Sequence, residues 1–432
     1  MATTHFINAR LIDPDSGSDA PGALTMSAGV ITARFGPATL AETGAETRDD
    51  TVVDCAGKCL APGIVDIGVK VCEPGERHKE SYATAGRAAA AGGVTTMVTR
   101  PDTDPTIDTP EILEFVAKRA QADSIVRVLP MAALTKGRAG AEMTEIGFLK
   151  DAGAVAFTDC DHVVRNPKVF SRALSYARAT DALVIAHIQE PTLSDGACAT
   201  SGKFASLRGL PAVSPMAEQM GLERDLALVE LTGARYHADQ ITTEKGLNVL
   251  ARGKQAGLAI TAGTSIHHLT LNAFDVADYR TFFKLKPPLR DETDRSAMVE
   301  ALASGLIDIV SSMHTPQDEE SKRLPFEEAA SGAVALETLL PAAMRLVHGG
   351  HIDLPTLWRA LSLNPAKLLG LAQGRLEVGA PADLVLFDPD APFQLNRFEL
   401  RSKSKNTPFD DARLQGKVLG TWIGGERVFG DH

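Results

Sequence analysis

The sequence predicts an α/β fold, a (β/α)8 TIM-type barrel with a small composite β-sandwich assembled from both chain ends. Three observations predict it: apolar strand-length runs alternate with Ala-rich helical stretches, there are eight such runs, and all-β segments flank them on both sides.

The strand runs are IVDIGVKV (64–71), VTTMVTR (94–100), VRVLPMAAL (126–134), VAFT (155–158), LVIAH (183–187), ARYHAD (234–239), LAITAGTS (258–265) and IDIVSSM (307–313). Between most of them lie segments of helical periodicity: SYATAGRAAAAGG, TPEILEFVAKRAQAD, PKVFSRALSYARATD, PMAEQMGLERDLALVELTG and TEKGLNVLARGKQ. Near-continuous apolar strands with helical crossovers indicate a parallel sheet covered by helices, and eight repeats close it into a barrel. The rival, an open doubly wound sheet, needs a Gly-rich phosphate turn after the first strand, and none is present.

Before the first barrel run, HFINARLID, ALTMSAGVITARFG and DDTVVDCAGKCLAPG read as short strands punctuated by Gly, Asp and Pro. GRLEVGAPADLVLFDP and GKVLGTWIGGERVF repeat that texture near the other end. The expected division is therefore 1–61 with 367–432 in the sandwich and 62–366 in the barrel.

Composition excludes several classes of function. With 44 basic and 55 acidic residues the formal charge is −11, which argues against nucleic acid or an anionic membrane as a partner. No apolar run approaches the roughly 20 residues of a spanning helix, and MATTHFINARLIDPDSG lacks the pattern of a secretory signal. Five scattered cysteines suit reduced thiols, so a cytoplasmic location is expected.

The segment APGIVDIGVKVCEPGERHKES resembles the dihydroorotase segment in which Pro-Gly-(Ile/Leu)-(Ile/Val)-Asp precedes His-x-His-x-Arg-Glu-Pro-Gly. The likeness continues in order through AAAAGGVTTMV, RPDTDPTID, GAVAFTD, LVIAHIQEP, HHLTLN, KPPLR, PFEEAASGAVALETLLP, LNPAKLLGL and GAPADLVLFD. It covers essentially the whole chain, which is similar to members of the dihydroorotase family of the amidohydrolase superfamily.

That resemblance implies a zinc centre at the barrel mouth, activating water and polarising a carbonyl. The six implied ligand positions hold Gly68, Lys70, Cys160, His187, Gln240 and Met313. Glycine has no donor and an ammonium repels a cation; Met313, where the family has its catalytic aspartate, can neither shuttle a proton nor hold a hard metal. Only His187 survives, and a lone histidine reads as a hydrogen-bonded mouth residue. The implied substrate positions are altered too, to Cys72, Asp102, Lys286 and Gln317.

Lys70 is expected to occupy the place of the cation and pair with Asp159 or Asp66. An atypical zinc site would have to draw on Cys160, His187, His237 and Asp239. His267-His268 reads as packing beneath the mouth, and DEESKRLPFEE as a solvated charged loop.

Three functions follow as alternatives. By resemblance to inactive dihydroorotase-like chains, the first is a catalytically silent assembly partner of aspartate carbamoyltransferase in pyrimidine biosynthesis, in a homo- or hetero-oligomer. The second is a zinc-dependent cyclic-amide hydrolase with an atypical centre, acting on dihydroorotate, hydantoin or allantoin. The third is a binding protein for a small metabolite.

Overall fold

The computed structural model describes residues 3–37 and 50–430. Strands β1 (Thr3–Asp13), β2 (Ser18–Ser27), β3 (Val30–Phe35), β4 (Thr51–Asp54) and β5 (Cys59–Pro62) lead into the barrel, whose strands begin with β6 (Ile64–Val69), β7 (Val94–Thr99) and β8 (Arg127–Pro130). They continue with β9 (Leu183–His187), a small parallel pair β10 (Ala199–Thr200) and β11 (Ala212–Val213) inserted beside the barrel, β12 (Arg235–Asp239), β13 (Ile260–Ser265) and β14 (Ile309–Ser311). The chain then returns through β15 (Leu384–Gln394), β16 (Arg413–Ile423) and β17 (Glu426–Phe429).

The barrel strands pair in parallel as β6-β7-β8 and β9-β12-β13-β14. The fourth run is short but bonded on both sides: Ala132 N donates to Ala156 O (3.0 Å) and Thr158 N to Ala132 O (2.9 Å), while Phe157 N donates to Leu183 O and Ile185 N to Phe157 O (both 2.9 Å), completing the eighth position. The third run continues past Pro130, with Met131 N on Thr99 O at 2.9 Å. Between β14 and β6, closure comes from side chains and loops: Asp66 accepts from Ser312 N (2.8 Å) and Ser312 Oγ, and Lys70 N donates to His314 O at 2.9 Å. The five helical segments read from the sequence form at Tyr82–Ala91, Pro110–Asp123, Pro167–Ala179, Met216–Thr232 and Glu244–Gln255. Ser81 opens the first with a capping box, and Thr243 accepts from Gly246 N to open the last.

The chain ends share one sheet of order β17-β16-β15-β5-β1-β2-β3, with β4 also on β1. Strand β5 joins the two ends, parallel to β1 and antiparallel to β15. Phe6, Leu24, Ile31, Leu60, Leu384 and Trp422 form its core, with Phe6 edge-on to Trp422 at 4.9 Å. Trp358 stacks on Phe387 at 4.6 Å and donates to Pro62 O at 2.9 Å, locking the sheet to the barrel. This leaves the opposite barrel end, where the strands terminate, free to form a mouth.

Candidate functional site

The strand ends carry an uncommon backbone. Gly68 (φ 95°), Cys72 (62°), Cys160 (58°), Gln240 (54°) and Met313 (47°) all lie in the left-handed region. For the four with side chains this is strained geometry of a kind that concentrates at binding sites. These are also positions to which the resemblance assigns metal or substrate contacts, so the backbone of a mouth persists beneath changed side chains. A Cβ on Gly68 would stand 2.7 Å from Met313 Sδ, so the thioether fills the space a residue at 68 would need.

Charge pairs now tie the strand ends together. Lys70 Nζ stands 3.3 Å from Asp102 and 3.7 Å from Glu76. The sequence-based partners, Asp66 and Asp159, are engaged elsewhere: Asp66 by Ser312, Asp159 by Thr135 N (2.9 Å) and Thr135 Oγ1 (2.5 Å). Burial opposes the charge on Lys70, but Asp102, with Cys72 and Glu76, lifts its pKa above the ordinary value. Arg100 bonds Asp102 at 2.8 Å and stands 3.8 Å from Asp161. Asp161 also meets Lys286 (3.3 Å) and Arg138 (3.5 Å). The Asp161 side chain stays 36% exposed, and against its partial burial Arg100 first and Lys286 next hold it far below the usual carboxylate range.

His187 lines a cleft of about 520 Å³ with Arg138, Asp161 and Lys286. Among the described residues its ring has no hydrogen-bond partner, unlike the bonded histidine the sequence suggests. Burial, and then Lys286, push its pKa down to about 3, so the imidazole is neutral. Cys160 and Cys72 are pushed up to about 12 by burial. Both are therefore protonated thiols, poor as nucleophiles or ligands. His237 turns away, its Nδ1 on Thr261 Oγ1 at 2.8 Å and its Nε2 only 2.9 Å from where a Cβ on Gly263 would sit. Asp239 is raised to about 6 by burial, against Arg100. Among the described residues no three His, Cys, Asp or Glu side chains converge as a metal site. Cys160, His187, His237 and Asp239 are not brought together as a ligand set.

The residues present do not fit zinc: the donor positions that the resemblance implies offer no side chain, an ammonium, an amide, a thioether, one thiol and one imidazole, with no convergence of ligands among the described residues. The altered substrate positions fare as follows. Gln317 donates through Nε2 to Ser331 O at 2.9 Å, Lys286 and Asp102 sit in the charge network, and Cys72 is buried. His268 bonds Ser265 Oγ (2.8 Å) and Pro287 O (3.2 Å), while His267 stacks on Phe409 at 5.8 Å, as packing residues do.

Sequence reasoning missed Glu76, Arg138 and Asp161. Asp161 had a signal, since it follows Cys160 directly in TDCD and puts a carboxylate one step past the lost ligand. Arg138 and Glu76 arrive on loops, where spacing carries no such signal.

A dihydro-orotase-like family model matches residues 57–246 and an amidohydrolase family model residues 334–429. A dihydroorotase of Anaplasma phagocytophilum (strain HZ) is 38% identical over 428 residues, 99% of this chain and 95% of the relative. A dihydroorotase-like protein of Pseudomonas aeruginosa is 38% identical over 423 residues, 98% of each. The fold is that of the L-hydantoinase of Arthrobacter aurescens, with TM-score 0.89, 23% identity and coverage of 100% of this chain and 96% of that one. With the barrel, the strained strand ends and these near-full-length likenesses in agreement, the chain belongs to the dihydroorotase family of the amidohydrolase superfamily.

Proposed function

We propose that this chain is a catalytically silent dihydroorotase homologue acting in the cytoplasm as an assembly partner of aspartate carbamoyltransferase. One observation carries the silent half of the reading. A Lys70 ammonium lies in a charge network and a Met313 thioether lies against Gly68, at positions to which the resemblance assigns a metal ligand and the catalytic carboxylate. The assembly half rests on the resemblance to inactive chains of this kind. It is physically coherent because barrel packing does not depend on mouth residues. Relatives of equal identity carry the names dihydroorotase and dihydroorotase-like protein, so overall identity does not separate the readings. The hydrolase alternative lacks converging donors among the described residues.

The test has two arms. Elemental analysis of protein purified without chelator should find zinc far below one per chain, and added zinc should not produce ring opening of dihydroorotate. Mixing with the transferase should give co-elution on a sizing column and a more heat-stable transferase. Near-stoichiometric zinc with turnover overturns the silent reading. Separate elution beside an unaltered transferase overturns the assembly reading.

A further inference from the structure

A second pocket, of about 280 Å³, lies outside the charge network of the mouth, between the short helix Glu319–Lys322 and the loop that joins β15 to β16. Three lysines line it: Lys322, Lys403 and Lys405. Among the described residues none has a carboxylate within ion-pair distance; each is held by backbone carbonyls. Lys322 donates to Thr281 O (2.9 Å) and Ala330 O (2.5 Å), Lys405 to Leu400 O (2.5 Å) and Ser402 O (2.7 Å), and Lys403 to Arg77 O (3.0 Å). An ammonium has three N–H donors, so each lysine keeps at least one to give.

The pocket's own acids do not neutralise them. Asp318 faces His78 (3.6 Å) and Lys79 (3.9 Å), and Glu319 is paired to Arg323 at 3.1 Å. Arg397, the guanidinium in the wall, is paired to Asp410 at 3.2 Å and packed between Phe282 and Phe398. The result is a lysine-rich concave site on a chain whose formal charge is −11, with the carboxylates of Glu337 and Glu80 acting on Lys405 from behind the loop. DEESKRLPFEE, read from sequence as a solvated loop, in fact buries Lys322 to 4% exposure. Burial, and then Lys284, push that amine down to about 7, so a bound anion would recharge it. Beside the lysines, Gln317 Oε1 is a buried acceptor with no donor.

We propose that this pocket binds a small phosphate-type anion, a phosphate ester or diphosphate whose organic part carries a hydroxyl. Two standing charges, Lys403 and Lys405, with a Lys322 amine that the anion recharges, match the spread oxygens of a doubly charged phosphate. A planar carboxylate is better served by a guanidinium fork, and Arg397 is already committed. Gln317 Oε1 is the acceptor for the hydroxyl.

The site is independent of the assembly reading and is tested without metal or partner. Titration calorimetry of the whole chain with pyrophosphate, at low and constant ionic strength, should give saturable one-to-one binding, with citrate clearly weaker. Lys403→Ala, on the exposed rim, should weaken pyrophosphate about tenfold, the loss of one charge-assisted contact worth about 1.4 kcal/mol. Lys322→Met should abolish binding; if it does not fold, Lys403→Ala decides alone. Arg165→Glu, in the cleft beside His187, should leave binding unchanged. No saturable heat in the millimolar range, citrate equal to pyrophosphate, or binding lost in Arg165→Glu but kept in Lys403→Ala would each overturn the proposal.

Discussion

The seam between barrel and sheet and the mouth of the barrel use the same materials, buried charges and hydroxyls, but finish them differently. At the seam every such group named here is satisfied. Asp383 accepts from Arg127 (3.0 and 3.2 Å) and Gly424 N (2.7 Å), Ser362 Oγ donates to Gly63 O at 2.6 Å, and Thr421 Oγ1 to Ala90 O at 2.7 Å. In and around the mouth, Arg100 Nε, Asp102 Oδ1 and Arg138 Nε are buried with no hydrogen-bond partner among the described residues. Folding alone selects for the first condition, because an unmet buried polar atom costs about 1–3 kcal/mol. The mouth therefore keeps polarity that stability does not call for.

The contrast is sharpened first in the barrel wall. Glu218 accepts from Thr242 N, Thr243 N and both threonine hydroxyls, and meets Arg290, with both side chains almost fully buried. Glu218→Ala strands that arginine and should cost about 3–5 kcal/mol, read by urea unfolding. A loss under about 1 kcal/mol would mean that wall and mouth are equally tolerant, and the contrast would fail. Next comes Gly68→Ala, which forces a Cβ into the left-handed region and onto Met313 Sδ. We expect a loss of about 1–3 kcal/mol. Adding Met313→Ala should recover the contact part and leave the backbone part.

This division also explains what was legible in the sequence. Barrel strands and helices show through because burial imposes a period on the chain, and seven of the eight runs form ladders where the apolar pattern places them. The fourth is short, 155–158, but its backbone still bonds to the strands on both sides. The altered ligand positions were legible because each sits at a fixed step from a strand. The partners of Lys70 were not. Asp66 and Asp159 are nearest in pattern, but backbone N–H groups and hydroxyls had already claimed them, and the actual partners, Asp102 and Glu76, ride on loops after the strands.

A smaller effect tests the mouth through pH. His187 has a pKa of about 3 in the fold, below its ordinary 6.5, so below pH 6.5 the unfolded chain binds a proton that the folded chain does not. Its contribution is present above that value and is lost as pH falls towards 3. His187→Gln should therefore unfold less steeply with acid. Relative to neutral pH, the variant should gain about 1.4 kcal/mol on the parent at pH 5.5. Asp66 and Asp239, both raised to about 6, act in the opposite direction in both proteins and drop out of the difference. Parallel pH curves would mean that His187 is charged in the fold.

The smallest effect belongs to the residue that most changes the chemistry. Lys70→Met removes a cation from the mouth, yet Asp102 keeps Arg100 at 2.8 Å, so no buried carboxylate is left alone. The mutation also removes the cost of burying the ammonium, and methionine's unbranched chain can fill the space. Stability should change by no more than about 1 kcal/mol in either direction, measured by denaturant titration. A loss of about 3 kcal/mol or more would mean that Lys70 is the tie that holds the strand ends in place of a metal. The mouth would then be as fully committed to folding as the seam. A near-zero change leaves Lys70 as a residue that blocks a cation while the barrel walls carry the stability.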